Sequence, residues 1–154
     1  MSRSGDRARG SPRSAPMTDF ANFIAPPASA DAGEHLVSGA DACLERFTSA
    51  FNHCDLAAMD SELHFPHVMY SGSARLVWQT PGQHPAAFFE ALIATGWRRT
   101  EYVLKTPVLV SADKVHFLVV YKRCDAQGEP LSTHSNLWIA TRVGGRWGIA
   151  LRSY

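Results

Sequence analysis

The chain has 154 residues, 45% hydrophobic and 19% charged, with 11 Gly and 9 Pro, a globular composition for one domain that excludes disordered, fibrous and collagenous classes. Its formal net charge of +1 is unevenly spread: four Arg and two Asp lie in the first 30 residues, leaving 11 basic and 12 acidic residues from position 31 onward. That near-neutral remainder lacks the dense positive field that drives nucleic-acid binding by counterion release, and no run of about 18 or more apolar residues is present to span a membrane.

Residues 1–30 are rich in Ser, Arg, Pro and Ala without a sustained period. They read as a disordered or loosely packed tail ahead of a single domain over 31–154, because such a stretch cannot bury enough apolar surface to offset its ordering entropy. The Arg-rich start has no continuous apolar core of a signal peptide, and its prolines break the amphipathic helix of a transit peptide, so the expected compartment is the cytoplasm. Met17 is an alternative start, and Phe20, Phe23 and Ile24 could pack as a short arm. Cys43, Cys54 and Cys124 are odd in number and form no C-x-x-C, which argues against a disulfide framework or zinc knuckle and fits a reducing compartment.

Ser38 with Asp41 makes a loose capping box, and Leu36, Ala40, Leu44, Phe47 and Phe51 recur at spacings of four, four, three and four. This predicts an amphipathic helix beginning near Ser38. Asp55 can cap a second, short helix over 56–63, with Leu56, Met59 and Leu63 at helical spacing. Pro66 is expected to end it, having no N–H and biasing Phe65 away from helix. His67 to Tyr70, a Ser71-Gly72-Ser73 turn and Arg75 to Trp78 read as a short hairpin. Pro85 at a first helical position and Gly96 past the last turn bracket a third helix containing Phe88, Phe89, Leu92 and Ile93. Thr100 to Ser111, Val115 to Cys124, Leu131 to Thr141 and Arg146 to Ser153 are rich in β-branched and aromatic residues, with turns at Ala112-Asp113, Gln127-Gly128 and Gly144-Gly145. Helices first and strands last make the class α+β: about three helices on one face of a curved, mostly antiparallel sheet.

From about Gly33 onward the chain resembles the nuclear transport factor 2-like superfamily, the cone-like α+β fold shared with SnoaL-like polyketide cyclases, ketosteroid isomerase and scytalone dehydratase. The resemblance is carried by the helix Ala42 to Phe51, the segment His64-Phe65-Pro66-His67-Val68 leading to Ser71-Gly72, Gly96-Trp97, and the ending Gly144-Gly145-Arg146-Trp147-Gly148-Ile149. It implies a pocket between helices and sheet and frequent homodimers through the outer sheet face. Such motifs are structural and transfer fold better than chemistry.

Counting outward from a Gln127-Gly128 turn pairs Tyr121 with His134, Val119 with Asn136 and Phe117 with Trp138, all on one face. The same count from Gly144-Gly145 adds Trp147, Ile149 and Leu151 to that face. His116, Leu118, Val120, Ser135, Leu137, Ile139, Ala150 and Arg152 fall on the other. The aromatic face is assigned to the helices and the cavity, the aliphatic one to a partner subunit or water.

His134 and Tyr121 are the candidate catalytic pair: an imidazole exchanges protons near neutrality, and a phenol can donate to a developing oxyanion. The alternative is a cross-strand hydrogen bond inside a core. Phe117, Asn136 and Trp138 would give the site apolar walls and an orienting amide. His64 either satisfies the last carbonyls of the second helix or faces the cavity mouth. With His134, Tyr70 and Tyr121 nearby it would make an arrangement similar to a scytalone-dehydratase-like acid/base site. Trp97 is a core plug or a ligand platform, and Arg75 a mouth residue or a solvated edge charge.

A metal shared by His64 and His67 is not expected, because Pro66 denies them one helical face. The cavity face carries no Asp or Glu, unlike the carboxylate site of ketosteroid isomerase, and Asp60, Glu62 and Glu101 cannot be placed inside. No nucleotide, dinucleotide, zincin or hydrolase-elbow motif occurs, so no cofactor is implied. The expectation is a cavity protein for a small hydrophobic ligand, with lyase or isomerase chemistry as one outcome and a non-catalytic dimeric binding or interaction module as the other.

Overall fold

The computed structural model describes residues 33–154; the tail expected over 1–30, with Met17, Phe20, Phe23 and Ile24, lies outside the described residues. In chain order the elements are α1 (Gly33–Asn52), α2 (Leu56–Ser61), β1 (Leu63–Ser71), β2 (Ala74–Trp78), α3 (Phe88–Ala94), β3 (Arg99–Ser111), β4 (Lys114–Cys124), β5 (Pro130–Val143) and β6 (Arg146–Ser153). The strands form one sheet of six in the order β2-β1-β6-β5-β4-β3. Only β1 and β6 pair in parallel; every other neighbouring pair is antiparallel. The architecture is the expected α+β one.

α1 buries Leu36, Ala40, Leu44 and Phe47, the stripe expected of it, and packs across β3, β5 and β6. It begins at Gly33 rather than near Ser38. Glu34 in its first turn complements the helix dipole, and the extra turn buries Leu36. The helix lies very close to β6 at Gly39, where an added Cβ would stand 2.6 Å from the Trp147 indole nitrogen.

α2 is capped as expected, Asp55 Oδ1 accepting from the Ala58 N–H at 2.9 Å. It stops at Ser61, and Leu63 opens β1 instead of closing the helix. The reason is tertiary: the Arg146 guanidinium donates to the carbonyls of Ser61 at 2.7 Å and Leu63 at 3.1 Å. Pro66 therefore terminates no helix but sits inside β1, and its preceding peptide bond is cis. β2 pairing begins only at His67, opposite Trp78, so a residue without an N–H is tolerated just before it. α3 also differs slightly: it starts at Phe88, and Pro85 lies in the turn ahead, its carbonyl accepting from the Phe88 N–H.

The β4–β5 register matches the outward count: Tyr121 faces His134, Val119 faces Asn136 and Phe117 faces Trp138. The connecting loop is longer than a two-residue turn. Asp125 Oδ1 accepts from the N–H groups of Gln127 and Glu129, and a bulge at Cys124 restores the pairing.

On β6 the count holds through Trp147 and Ile149, which lie on the inner face as expected, and fails after them. Ala140 pairs with Ile149 but Ile139 pairs with Leu151, so Ala150 is an extra, bulged residue. Beyond it the faces exchange. Arg152, expected outside, is opposite Trp138 and only 5% exposed, whereas Leu151, expected inside, shares the outer face of Ile139. That outer face also presents Leu104, Leu109 and Leu118, all exposed. No helix among the described residues is long and apolar enough to cross a membrane.

Candidate functional site

Between α1, the α3 region and the inner face of the sheet lies a hollow of about 500 Å³, a volume suited to a small organic molecule. Its walls are mainly aromatic, from Phe47 and Phe51 of α1, Trp78 of β2, Phe88 of α3 and Trp138 of β5. Tyr121, Arg123, His134, Arg152 and His84 bring polar groups to it, and no Asp or Glu among the described residues lines it.

Tyr121 and His134 lie side by side on the wall, their rings stacked with centroids 5.0 Å apart and planes at 25°. They do not make the cross-strand hydrogen bond that was the alternative; the His134 Nε2 partner is Ser132 Oγ at 2.8 Å. Burial, reinforced by the Arg123 charge, lowers the His134 pKa and keeps the imidazole neutral. Burial raises that of Tyr121, which stays a protonated phenol.

A second imidazole faces the hollow. His84 belongs to the loop between β2 and α3, and its ring packs on Trp78 with centroids 4.1 Å apart. Its Nδ1 stands 3.2 Å from Asp60 Oδ1, both side chains being almost wholly buried, although the two atoms are not aligned as a hydrogen bond. Asp60 is held from the other side, Oδ2 accepting from the Gly82 N–H at 2.7 Å. Asp60 thus stands on the Nδ1 side of the ring and is not itself among the residues lining the hollow. Burial lowers the His84 pKa and outweighs the opposing pull of Asp60, with the Arg152 charge adding to the lowering.

Arg152 is fixed by His67, which is fully buried. The His67 Nδ1–H donates to the Ile149 carbonyl at 2.9 Å, so Nε2 carries the lone pair and accepts from Arg152 Nε at 3.1 Å. Burial first, and then the Arg152 charge, push the His67 pKa down to about 3. The guanidinium lies over the Phe47 ring, 4.9 Å from its centroid, a cation–π contact that partly replaces lost hydration.

Of the residues singled out from sequence, Tyr121, His134 and Trp138 line this hollow, and His64, Tyr70, Trp97, Phe117 and Asn136 do not. His64 points to the opposite sheet face from Leu63. It lies against Gly148, its Nδ1 2.8 Å from Thr141 Oγ1, and so neither meets His134 nor shares a face with His67. Tyr70 is 36% exposed. Trp97 is buried in the core, stacked on Phe89 and donating to Thr100 Oγ1 at 3.0 Å. Phe117 and Asn136 are on the inner face but buried away from the hollow. Arg75 is exposed.

Sequence reasoning did not find Arg152, Arg123, His84 or Asp60. Arg123 was within reach, since it lies two residues from Tyr121 and shares its face. Arg152 was hidden by the bulge, and His84 lies in a loop without periodicity.

No family profile matches the sequence, and no curated protein matches it. Solved structures do. A ketosteroid isomerase-like protein from Erwinia carotovora atroseptica is 20% identical, with 79% of this chain and 95% of that one covered at a TM-score of 0.58. An NTF2-like protein with a cystatin-like fold from Novosphingobium aromaticivorans is 16% identical, with 90% and 88% covered and a TM-score of 0.59. A protein of unknown function with a cystatin-like fold from Nostoc punctiforme is 11% identical, with 75% and 86% covered and a TM-score of 0.59. At these identities the likeness is one of fold. The described chain has the nuclear transport factor 2-like, cystatin-like α+β architecture.

Proposed function

We propose that this chain binds a small hydrophobic ligand in the hollow between helices and sheet and moves a proton on it, in the manner of a lyase or isomerase. The observation that supports this reading is the meeting of two neutral imidazoles and a protonated phenol on the walls of one aromatic cavity. His84, with Asp60 against its Nδ1, is the candidate base; Tyr121 is the candidate donor to a developing oxyanion, and His134 stacks beside it. The ketosteroid isomerase-like proteins among the fold neighbours accord with proton transfer. No Asp or Glu side chain among the described residues lines these walls, which favours imidazole as the base.

The test is a thermal-shift screen of hydrophobic metabolites, followed by NMR of each ligand found, incubated with protein in heavy water. Exchange of a ligand C–H for deuterium, abolished in His84→Asn while binding persists, supports the reading. Ligands that bind and never exchange would leave a binding module without chemistry.

A non-catalytic dimeric module is the second reading, supported by the exposed Leu104, Leu109 and Leu118 on the outer sheet face. Light scattering that gives a strict monomer at high concentration removes the homodimer.

A further inference from the structure

Resting on the reading of the hollow as a ligand site, we infer that its ligand is an anion: a hydrophobic molecule with one carboxylate, whose acid group is received by Arg152, with Arg123 a second cation on the same hollow. The basis is a charge without a counter-charge. Five other cations of the described chain pair with acids, Arg46 with Glu62, Arg99 and Lys122 with Glu101, Lys105 with Asp41 and Arg142 with Asp113, and those without an acid, Arg75, Arg98, Lys114 and Arg146, are exposed to water. Arg152 is buried, at 5% exposed, and is in no ion pair with a described residue.

Arg cannot shed its proton, so a buried guanidinium must be compensated by hydrogen bonds or by an opposite charge. The protein supplies little of either. Nε is spent on His67, and Nη2 meets only the Met69 sulfur, 3.2 Å away and a weak acceptor. Nη1 has no hydrogen-bond partner among the described residues. The Arg123 side chain repeats the pattern on the same hollow, with a buried Nε that is unpartnered among the described residues.

The arrangement around Arg152 is built rather than incidental. The β6 bulge turns it inward, and His67, confined to a single tautomer by the Ile149 carbonyl, holds Nε and leaves the terminal amino groups for the cavity. A planar fork with free N–H groups matches a carboxylate in two parallel hydrogen bonds. The aromatic walls then take the body of the ligand, and no Asp or Glu side chain among the described residues lines the hollow to repel an acid. Buried donors left unpaired by a neutral analogue make the preference steep.

The experiment measures binding to the full chain by calorimetry and tryptophan fluorescence, using benzoate, cinnamate, 1-naphthoate and decanoate, each against its primary amide. The expected result is that at least one acid binds tenfold or more tightly than its amide, and that Arg152→Met abolishes the preference while the amide still binds. Arg123→Gln is expected to reduce the preference without abolishing it, and it keeps the test open should Arg152→Met fail to fold. Acid and amide binding alike overturns the inference and spares the ligand site. An acid preference that persists in Arg152→Met also overturns it, since the anion then sits elsewhere. If no acid or amide in the panel binds, the hollow is not a site for such molecules, and the ligand-site reading fails together with the inference.

Discussion

Acid should weaken this fold through His67, and the amount can be worked out. The imidazole is fully buried, donates through Nδ1 to the Ile149 carbonyl and accepts at Nε2 from Arg152, with His84 and the Trp78 ring also near it. A second proton would have to enter at Nε2, where it would displace the Arg152 hydrogen bond and set two positive charges against each other. The folded-state pKa is accordingly about 3, against 6.5 for the ordinary side chain. With the folded value depressed, the unfolded chain binds more protons between those limits, so stability is full above about pH 6.5 and falls as the pH drops toward 3. At pH 5 the unfolded pKa lies about one and a half units above the pH, which at about 1.4 kcal/mol per unit is a loss of about 2 kcal/mol. Burial also lowers the pKa of His64, His84, His116 and His134, so each adds a loss of the same sign.

The assay is therefore a comparison. Urea unfolding is followed at pH 8 and pH 5 for the wild type and for His67→Gln, whose amide oxygen can still accept from Arg152 but does not titrate. The variant should lose about 2 kcal/mol less than the wild type over that interval. Equal losses in the two proteins would refute the assignment of His67 as a neutral acceptor buried against Arg152.

Two other predictions concern packing of α1. Asn52 bridges α1 to β3 by donating to the Thr100 carbonyl at 2.9 Å and accepting from its N–H at 2.7 Å. Asn52→Ala should cost about 1–3 kcal/mol in chemical denaturation, because buried Thr100 loses both partners, and a change under about 0.5 kcal/mol would contradict it. At Gly39, alanine would gain about 1 kcal/mol in helix propensity but place its Cβ 2.6 Å from the Trp147 indole. Overpacking costs about 1–3 kcal/mol, so Gly39→Ala should destabilise the protein and change its tryptophan emission; stabilisation would show that α1 and β6 are not in tight contact.

Much of the architecture was readable locally. The apolar stripe of α1, the Asp55 cap and the β-rich second half each reflect preferences expressed over a few residues. The inward placement of Tyr121, His134 and Trp138 followed from strand alternation, because the Cys124 bulge absorbed the longer Asp125 loop and left the register intact. Pro66 misled for the opposite reason. A proline reads as a helix stop when only its own dihedrals are considered, but its place in β1 depends on β2 beginning its pairing at the next residue.

What the amino-acid order determined by itself is thus the class of the fold, the order of its elements and the aromatic side of the meander, all set by short-range periodicity. The tertiary structure alone decided which cations and imidazoles meet. His84 and Asp60 are brought together by a loop fold, and Arg152 reaches the hollow only because β6 takes an extra residue at Ala150. Nothing in the local pattern Ile149-Ala150-Leu151-Arg152 marks where a bulge will fall. That choice belongs to the packing of neighbouring strands and to His67, which supplies the acceptor that makes burying Arg152 tolerable.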